Sequence, residues 1–350
     1  MGDDALSEAY ARLEDTGPEW GENQLSNHGP MAVEVLVRRG YAASVDPWLD
    51  RYSVRLEALP LPDTRITDAS WQEALGDGRR LGDWTAYFGE QLNEQAWRNV
   101  LAQWWPRLRP GILAGTTHGV IRVSHVVRTL LAGSDDPESV TELGHALAFW
   151  AARMQPLPVS ASASGRLDSA AALDSMPRVP EQRGPVAARL AQLADLPEWP
   201  RVVAAMSAPA NADEVPARLA SLVDAAVVRY LSHGYAAPVL LVHTATAPNA
   251  VLHCLPALPA EEWLPSFDAV WAATAFVYSG WAPAQPTPPR LRESTPAGTD
   301  AVAEVVDRAV RHGDEHVIKF TDTAVEAYQR TQDPSMLAAT TRIATLIASD

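Results

Sequence analysis

The chain has 350 residues, 47% of them apolar, with 28 basic against 43 acidic side chains and a formal net charge of −15. That is long enough for one large or two ordinary domains with a true core, and the acidic balance, with no basic stripe, argues against nucleic acid as a partner. A single cysteine, Cys254, excludes an intramolecular disulfide framework and any multi-cysteine zinc or iron–sulfur site, so a bound metal would have to take imidazole and oxygen donors.

Residues 1–16 are acidic and amphipathic, without the basic start and apolar run of a secretory signal. No stretch of ~18 or more residues stays apolar enough to span a bilayer. The expectation is a cytoplasmic protein that does not enter a membrane. Pro30 stands where a helix begins, after the capping candidates Ser26 and Asn27, and the run from Met31 to Arg39 continues until Gly40 stops it, with His28 at the mouth. Gly76-Asp77-Gly78-Arg79-Arg80-Leu81-Gly82 is glycine-rich, but it has one residue too many for a dinucleotide fingerprint and no preceding strand, and it reads as a turn.

Residues 83–105 carry Trp84, Tyr87, Phe88, Leu92, Trp97, Val100, Leu101 and Trp104 at helical spacing and predict one long helix ending at Pro106. Helices follow over 118–132 and over 137–154, the second entered through Asp136-Pro137 with Glu138 in its first turn. From 156 to 184 the composition turns to Ser, Ala and Pro without periodicity, which predicts a mobile surface loop. Helices resume near 185–195, 213–231 and 261–281. A second Pro-rich loop near 282–297 precedes helices near 298–312, 314–330 and 334–348. The run 238–243 is too short to separate strand from buried helix, and helix is the preferred reading. The fold class that results is all-α: a single large domain over 1–350, built from many crossing helices around a buried metal site. Twelve tryptophans against five phenylalanines suit such a core, and some of them a flat aromatic substrate.

The histidines separate by context. His145, His233, His253 and His312 lie near helix surfaces or ends and read as solvated or capping residues. His28, His118, His125, His243 and His316 lie among Gly, Pro and apolar neighbours and form the candidate metal set. His118 and His125 share a helix face but stand ~10.5 Å apart along its axis, so both reach one ion only if they lean together or the first turn is irregular, which Gly119 would permit. His316 and Lys319 are neighbours on one helix face. An ammonium offers a metal no lone pair, so Lys319 either turns away toward an acid such as Asp322 or Glu315, or is neutral and has reacted with carbon dioxide to give a carbamate.

Asn27-His28-Gly29-Pro30 with Arg38-Arg39-Gly40, then His118-Gly119-Val120-Ile121-Arg122 with His125 and Arg128, then His243-Thr244-Ala245-Thr246-Ala247-Pro248, then His316-Val317-Ile318-Lys319-Phe320-Thr321, resembles the questin oxidase-like family in that order, over roughly residues 20–330. The resemblance implies an all-helical non-haem Fe(II) oxygenase acting with dioxygen on an aromatic polyketide such as an anthraquinone, with a Baeyer–Villiger-type or dioxygenase outcome. It places Lys319 at the carbamylated position and the five histidines at the metal, one of them outside the ligand shell. An external reductant such as NADPH is compatible with it. Arg122 or Arg128 would hold a phenolate or quinone oxygen, and Tyr230 or Tyr278 would relay a proton. The competing readings are a metal-free NADPH-dependent monooxygenase, a zinc hydrolase of a lactone or ester, and a non-catalytic carrier of an aromatic ligand.

Overall fold

Apolar residues recur at helical spacing over most of the chain, and that is where helices form. The structure, a computed structural model, describes residues 2–157, 161–287, 298 and 300–349. The fold is all-α. Among the described residues the sheet is confined to β1 (Glu19–Trp20) and β2 (Leu25–Ser26), paired antiparallel. No described helix is long and apolar enough to cross a membrane. Contacts group the chain into two compact units: Met1–Pro156 with His253–Glu262, and Leu157–Leu252 with Trp263–Asp350.

The first unit is built from α1 (Gly2–Leu13), α2 (Gly29–Arg38), α3 (Val45–Tyr52), α4 (Trp71–Ala74), α5 (Leu81–Glu94), α6 (Trp97–Leu108), α7 (His118–Leu131) and α8 (Pro137–Ala152). Helix α8 starts where Asp136 accepts from the Ser139 N–H and Pro137 needs no partner for its nitrogen. It packs against α5, α7 and α1, and α2 packs against α1 and α7. Tryptophan fills this core. Trp84 stacks on Phe88 and meets Trp104 edge-on, while Trp105 meets Trp150 edge-on with centroids 5.2 Å apart. Two of the indole N–H groups find backbone acceptors, Trp84 on Ala74 and Trp150 on Gly111, whereas that of Trp104 has none. Gly119 lets α7 approach α8 closely: a Cβ there would lie 2.9 Å from Cγ of Trp150.

The single helix expected over 83–105 is two helices. Gln95 and Ala96 are both extended and restart the helix, so that α5 buries Trp84, Tyr87 and Phe88 and α6 buries Val100, Leu101, Trp104 and Trp105. Neither Gly nor Pro marks the break, which is why the spacing hides it. Pro106 does not end the run either. It lies inside α6, which continues to Leu108.

The second unit holds α9 (Ser169–Ser175), α10 (Val186–Ala191), α11 (Trp199–Ala204), α12 (Val215–His233), α13 (Pro238–Leu241), α14 (His243–Cys254, to Leu252 within this unit), α15 (Trp263–Trp281), α16 (Ala301–His312), α17 (Glu315–Thr331) and α18 (Pro334–Leu346). Residues 238–241 are helical, as preferred. Helix α15 is buried almost all round from Ser266 to Trp281, as befits a central helix. Helix α12 packs on α9, α17 and α18, and α17 on α16 and α18.

The stretch 156–184 is not the featureless surface loop its composition suggests. It contains α9, capped by Asp168, and buries Ala163, Ala172, Leu173, Met176 and Val179. Ser and Ala pack there because small side chains suit a segment lying flat on larger helices. Of the second expected loop, 288–297 lies outside the described residues. Its start is tied down, with Tyr235 donating to the Gln285 carbonyl and the Thr287 N–H to that of Ser232.

Candidate metal centre

In the first unit the chain enters α2 through His28. Asn27 donates to the Gly17 carbonyl and accepts from the Gly29 N–H, and the His28 N–H donates to the Tyr52 hydroxyl at 2.5 Å. Helix α7 begins differently. Gly115, Thr116 and Thr117 have φ of 55°, 57° and 71°, a left-handed turn that β-branched residues adopt only under constraint. Local strain of this kind concentrates at functional sites, and here it delivers His118 to the first position of α7.

The two imidazoles then meet. Their Nε2 atoms are 2.7 Å apart, with the rings stacked at 4.5 Å between centroids. The His118 Nδ1 makes a short contact with the Gly115 carbonyl oxygen. A carbonyl only accepts, so Nδ1 carries a proton, and when the ring is neutral its Nε2 presents a lone pair toward His28. Fixing the far nitrogen on a carbonyl is how metal-binding imidazoles are oriented.

In the second unit, Asp314 caps α17 by accepting from the N–H groups of His316 and Val317 at 2.8 and 3.1 Å. Donor atoms of Asp314, Glu315 and His316 all lie within 4.8 Å of one another, with His316 Nδ1 3.4 Å from Asp314. Burial would raise the Asp314 pKa, but hydrogen bonds from His316 and the helix start hold it below the usual range. Lys319 follows one turn later, 4% exposed. Desolvation pulls its pKa down to about 8 against the pull of Glu315 and Asp314. His243 is buried at the start of α14.

His125 sits elsewhere on α7. Its Nδ1 is 2.8 Å from Glu34 Oε2, and Arg128 grips the same carboxylate through both Nε and Nη2. Helix α7 is regular from His118 onward, because the irregular turn precedes His118 rather than following it at Gly119. His118 and His125 therefore keep their ~10.5 Å axial separation. Burial would raise Glu34, but Arg128 and His125 overcome it and bring it to about 2.

The two arginines expected to hold a phenolate each pair with an acid, while the buried Nη1 of Arg122 has no hydrogen-bond partner. Arg122 forks onto Glu142 at 2.6 and 2.7 Å with both side chains buried, and Arg128 is committed to Glu34. Tyr230 donates to the Pro238 carbonyl. Tyr278 is buried with Arg178 over its ring at 4.7 Å, and desolvation pushes its pKa up to about 12. It keeps its proton at neutral pH. His145 is not solvated as its position suggested: it is buried and desolvation lowers it to about 4. His233 is also buried, against Ser232 and the Arg229 carbonyl. Glu34, Tyr52 and the 115–117 turn were not singled out by sequence. Glu34 did leave a signal, as the one acid within the apolar run Met31 to Val37.

A scan against protein-family models returns no match to the chain, and a search of curated proteins returns none either. The functional reading therefore rests on the donor chemistry and on the order of the histidine motifs.

Proposed function

We propose that the chain is a non-haem iron-dependent oxygenase that oxidatively modifies or cleaves a ring of an aromatic polyketide of the anthraquinone kind. The observation that carries this reading is the His28–His118 pair, two buried imidazoles with Nε2 atoms 2.7 Å apart, one of them held in its metal-binding tautomer by a backbone carbonyl. Buried imidazole and carboxylate donors without thiolate suit a first-row ion. By the resemblance of the histidine motifs, His243 and His316 would add nitrogen donors and Lys319 oxygen as its carbamate. Iron(II), when bound, would supply the redox step with dioxygen that ring oxidation requires.

The chain's own residues prepare that step. The Gly115 carbonyl orients the His118 imidazole, the Tyr52 hydroxyl holds the His28 backbone N–H at the entry of α2, and burial of both rings keeps bulk water from them. Lys319 has a depressed pKa; its neutral amine would add carbon dioxide, the N–C bond forming as a C=O π pair moves to oxygen and one proton leaves the nitrogen, which turns an uncharged amine into an anionic oxygen donor. Tyr278 holds its proton and can donate it. Arg122 and Arg128 are held in place by Glu142 and Glu34.

Elemental analysis of freshly purified protein tests the reading, followed by oxygen uptake with a reduced hydroxyanthraquinone. Stoichiometric iron and iron-dependent uptake are expected. Zinc with oxygen-independent ester hydrolysis would replace this reading by the hydrolase, turnover of metal-stripped protein with NADPH by the metal-free monooxygenase, and protein without metal or turnover by the carrier.

A further inference from the structure

His28 and Glu34 are six residues apart along α2, and His118 and His125 seven apart along α7. The near ends of the two helices meet at His28–His118, with 2.7 Å between nitrogens. Further along, the same two helices meet again at Glu34–His125, 2.8 Å, and Glu34–Arg128, 2.9 Å to Nε. At 1.5 Å of rise per residue these spacings correspond to ~9 and ~10.5 Å. The helices therefore run side by side in the same direction, bolted at two levels.

The second bolt is specific. A carboxylate oxygen has no proton to give, so the His125 Nδ1 must donate to it, and Arg128 donates to both oxygens of the same group. The three side chains are at most 11% exposed. A charge-assisted clamp so enclosed tolerates little sliding, because any slip leaves a buried carboxylate short of donors. The first bolt is sensitive to such a slip. Displacement by one residue is ~1.5 Å, more than half the contact distance between the His28 and His118 nitrogens. The Tyr52 hydroxyl and Asn27 fix the entry of α2, whereas Glu34 fixes α2 against α7.

We propose that Glu34 is a positioning residue: through His125 and Arg128 it sets the axial register of α2 on α7, and thereby brings His28 to His118. This makes His125 the histidine of the sequence motifs that stands outside the metal shell, serving the clamp instead. The inference rests on the reading of His28 and His118 as metal donors.

The test is a cobalt(II) titration of the metal-stripped full-length chain, followed by its visible d–d absorption, with thermal unfolding measured on the same samples. Glu34→Ala is expected to weaken cobalt affinity at least about tenfold and to change the band, the size of loss typical when a group supporting a ligand is removed. Glu34→Gln, which keeps the shape and one acceptor oxygen, should recover part of that loss. Glu142→Gln breaks a comparably buried ion pair of the same unit and should leave affinity within about twofold, so it separates register from general loosening. Affinity and spectrum unchanged in Glu34→Ala, or an equal loss in Glu142→Gln, overturns the proposal. Should Glu34→Ala not fold, Arg128→Gln removes one arm of the clamp and carries the same test, with weaker cobalt binding expected and unchanged binding overturning it. A wild-type chain that takes up no cobalt refutes the metal reading itself, which a silent Glu34 variant does not.

Discussion

His28 and His118 stand at the starts of two different helices, and their Nε2 atoms meet at 2.7 Å in a buried position. Two imidazole nitrogens this close either share a proton or share an ion, and the His118 Nδ1 already donates to the Gly115 carbonyl. Replacing either ring removes one donor of the pair. His28→Ala and His118→Ala should each purify with less than a tenth of the wild-type metal content while keeping the helical circular dichroism spectrum. Full metal occupancy in both variants would show that the pair is a hydrogen bond and nothing more.

The Arg122–Glu142 pair should act on stability. Both side chains are enclosed and the fork is bidentate. Removing one partner leaves the other charged and buried, a cost of about 3–5 kcal/mol. Glu142→Gln should lose roughly that much in urea unfolding and still bind metal as the wild type does. If Arg122 held a substrate oxygen, its conservative replacement by Lys would raise KM without a large stability loss, and that result would reverse the assignment.

How far the sequence disclosed all this varies with the kind of feature. Helix positions were legible because burial imposes a period on apolar residues, and α8, α12, α15 and α17 fall close to where that period puts them. The break at Gln95–Ala96 was not, since two ordinary residues in extended conformation leave no compositional mark. The meeting of His28 with His118 could not be read from spacing, because 90 residues separate them and only tertiary packing sets the approach. The acids that pair with Arg122 and Arg128 were hidden for the same reason, because each lies on another helix. Glu34 and Glu142 were the missing information: acids inside apolar helical runs, each needing a cation to be tolerated there.

His145 makes the stability of the fold depend on pH. Desolvation lowers its pKa to about 4 in the folded chain, from about 6.5 when unfolded. Above pH 6.5 both states are neutral and the contribution is intact. As pH falls from about 6.5 toward 4 the unfolded chain takes up a proton that the folded chain refuses, so stability falls, by at most about 3 kcal/mol. Urea unfolding across this window should show the slope, and His145→Gln should flatten it. A variant with an unchanged slope would assign the effect to other groups.

Lys319 carries the last prediction. Only the neutral amine attacks carbon dioxide. At pH 7 an amine of pKa about 8 is neutral about one time in ten, against about one in three thousand for an ordinary lysine at 10.5. Burial thus raises the reactive fraction by roughly two to three orders of magnitude. The same burial penalises the ammonium left behind if no reaction occurs. Protein incubated with ¹³C-bicarbonate should therefore show a carbamate resonance that grows from pH 7 to 9, where the neutral form takes over. The resonance should vanish in Lys319→Ala and, since the amine is lost, in Lys319→Gln. Metal content should fall with it. A Lys319 that remains unlabelled at pH 9, in protein that still binds iron, would remove the carbamate from the donor set and leave the histidines to hold the ion with Asp314 or Glu315.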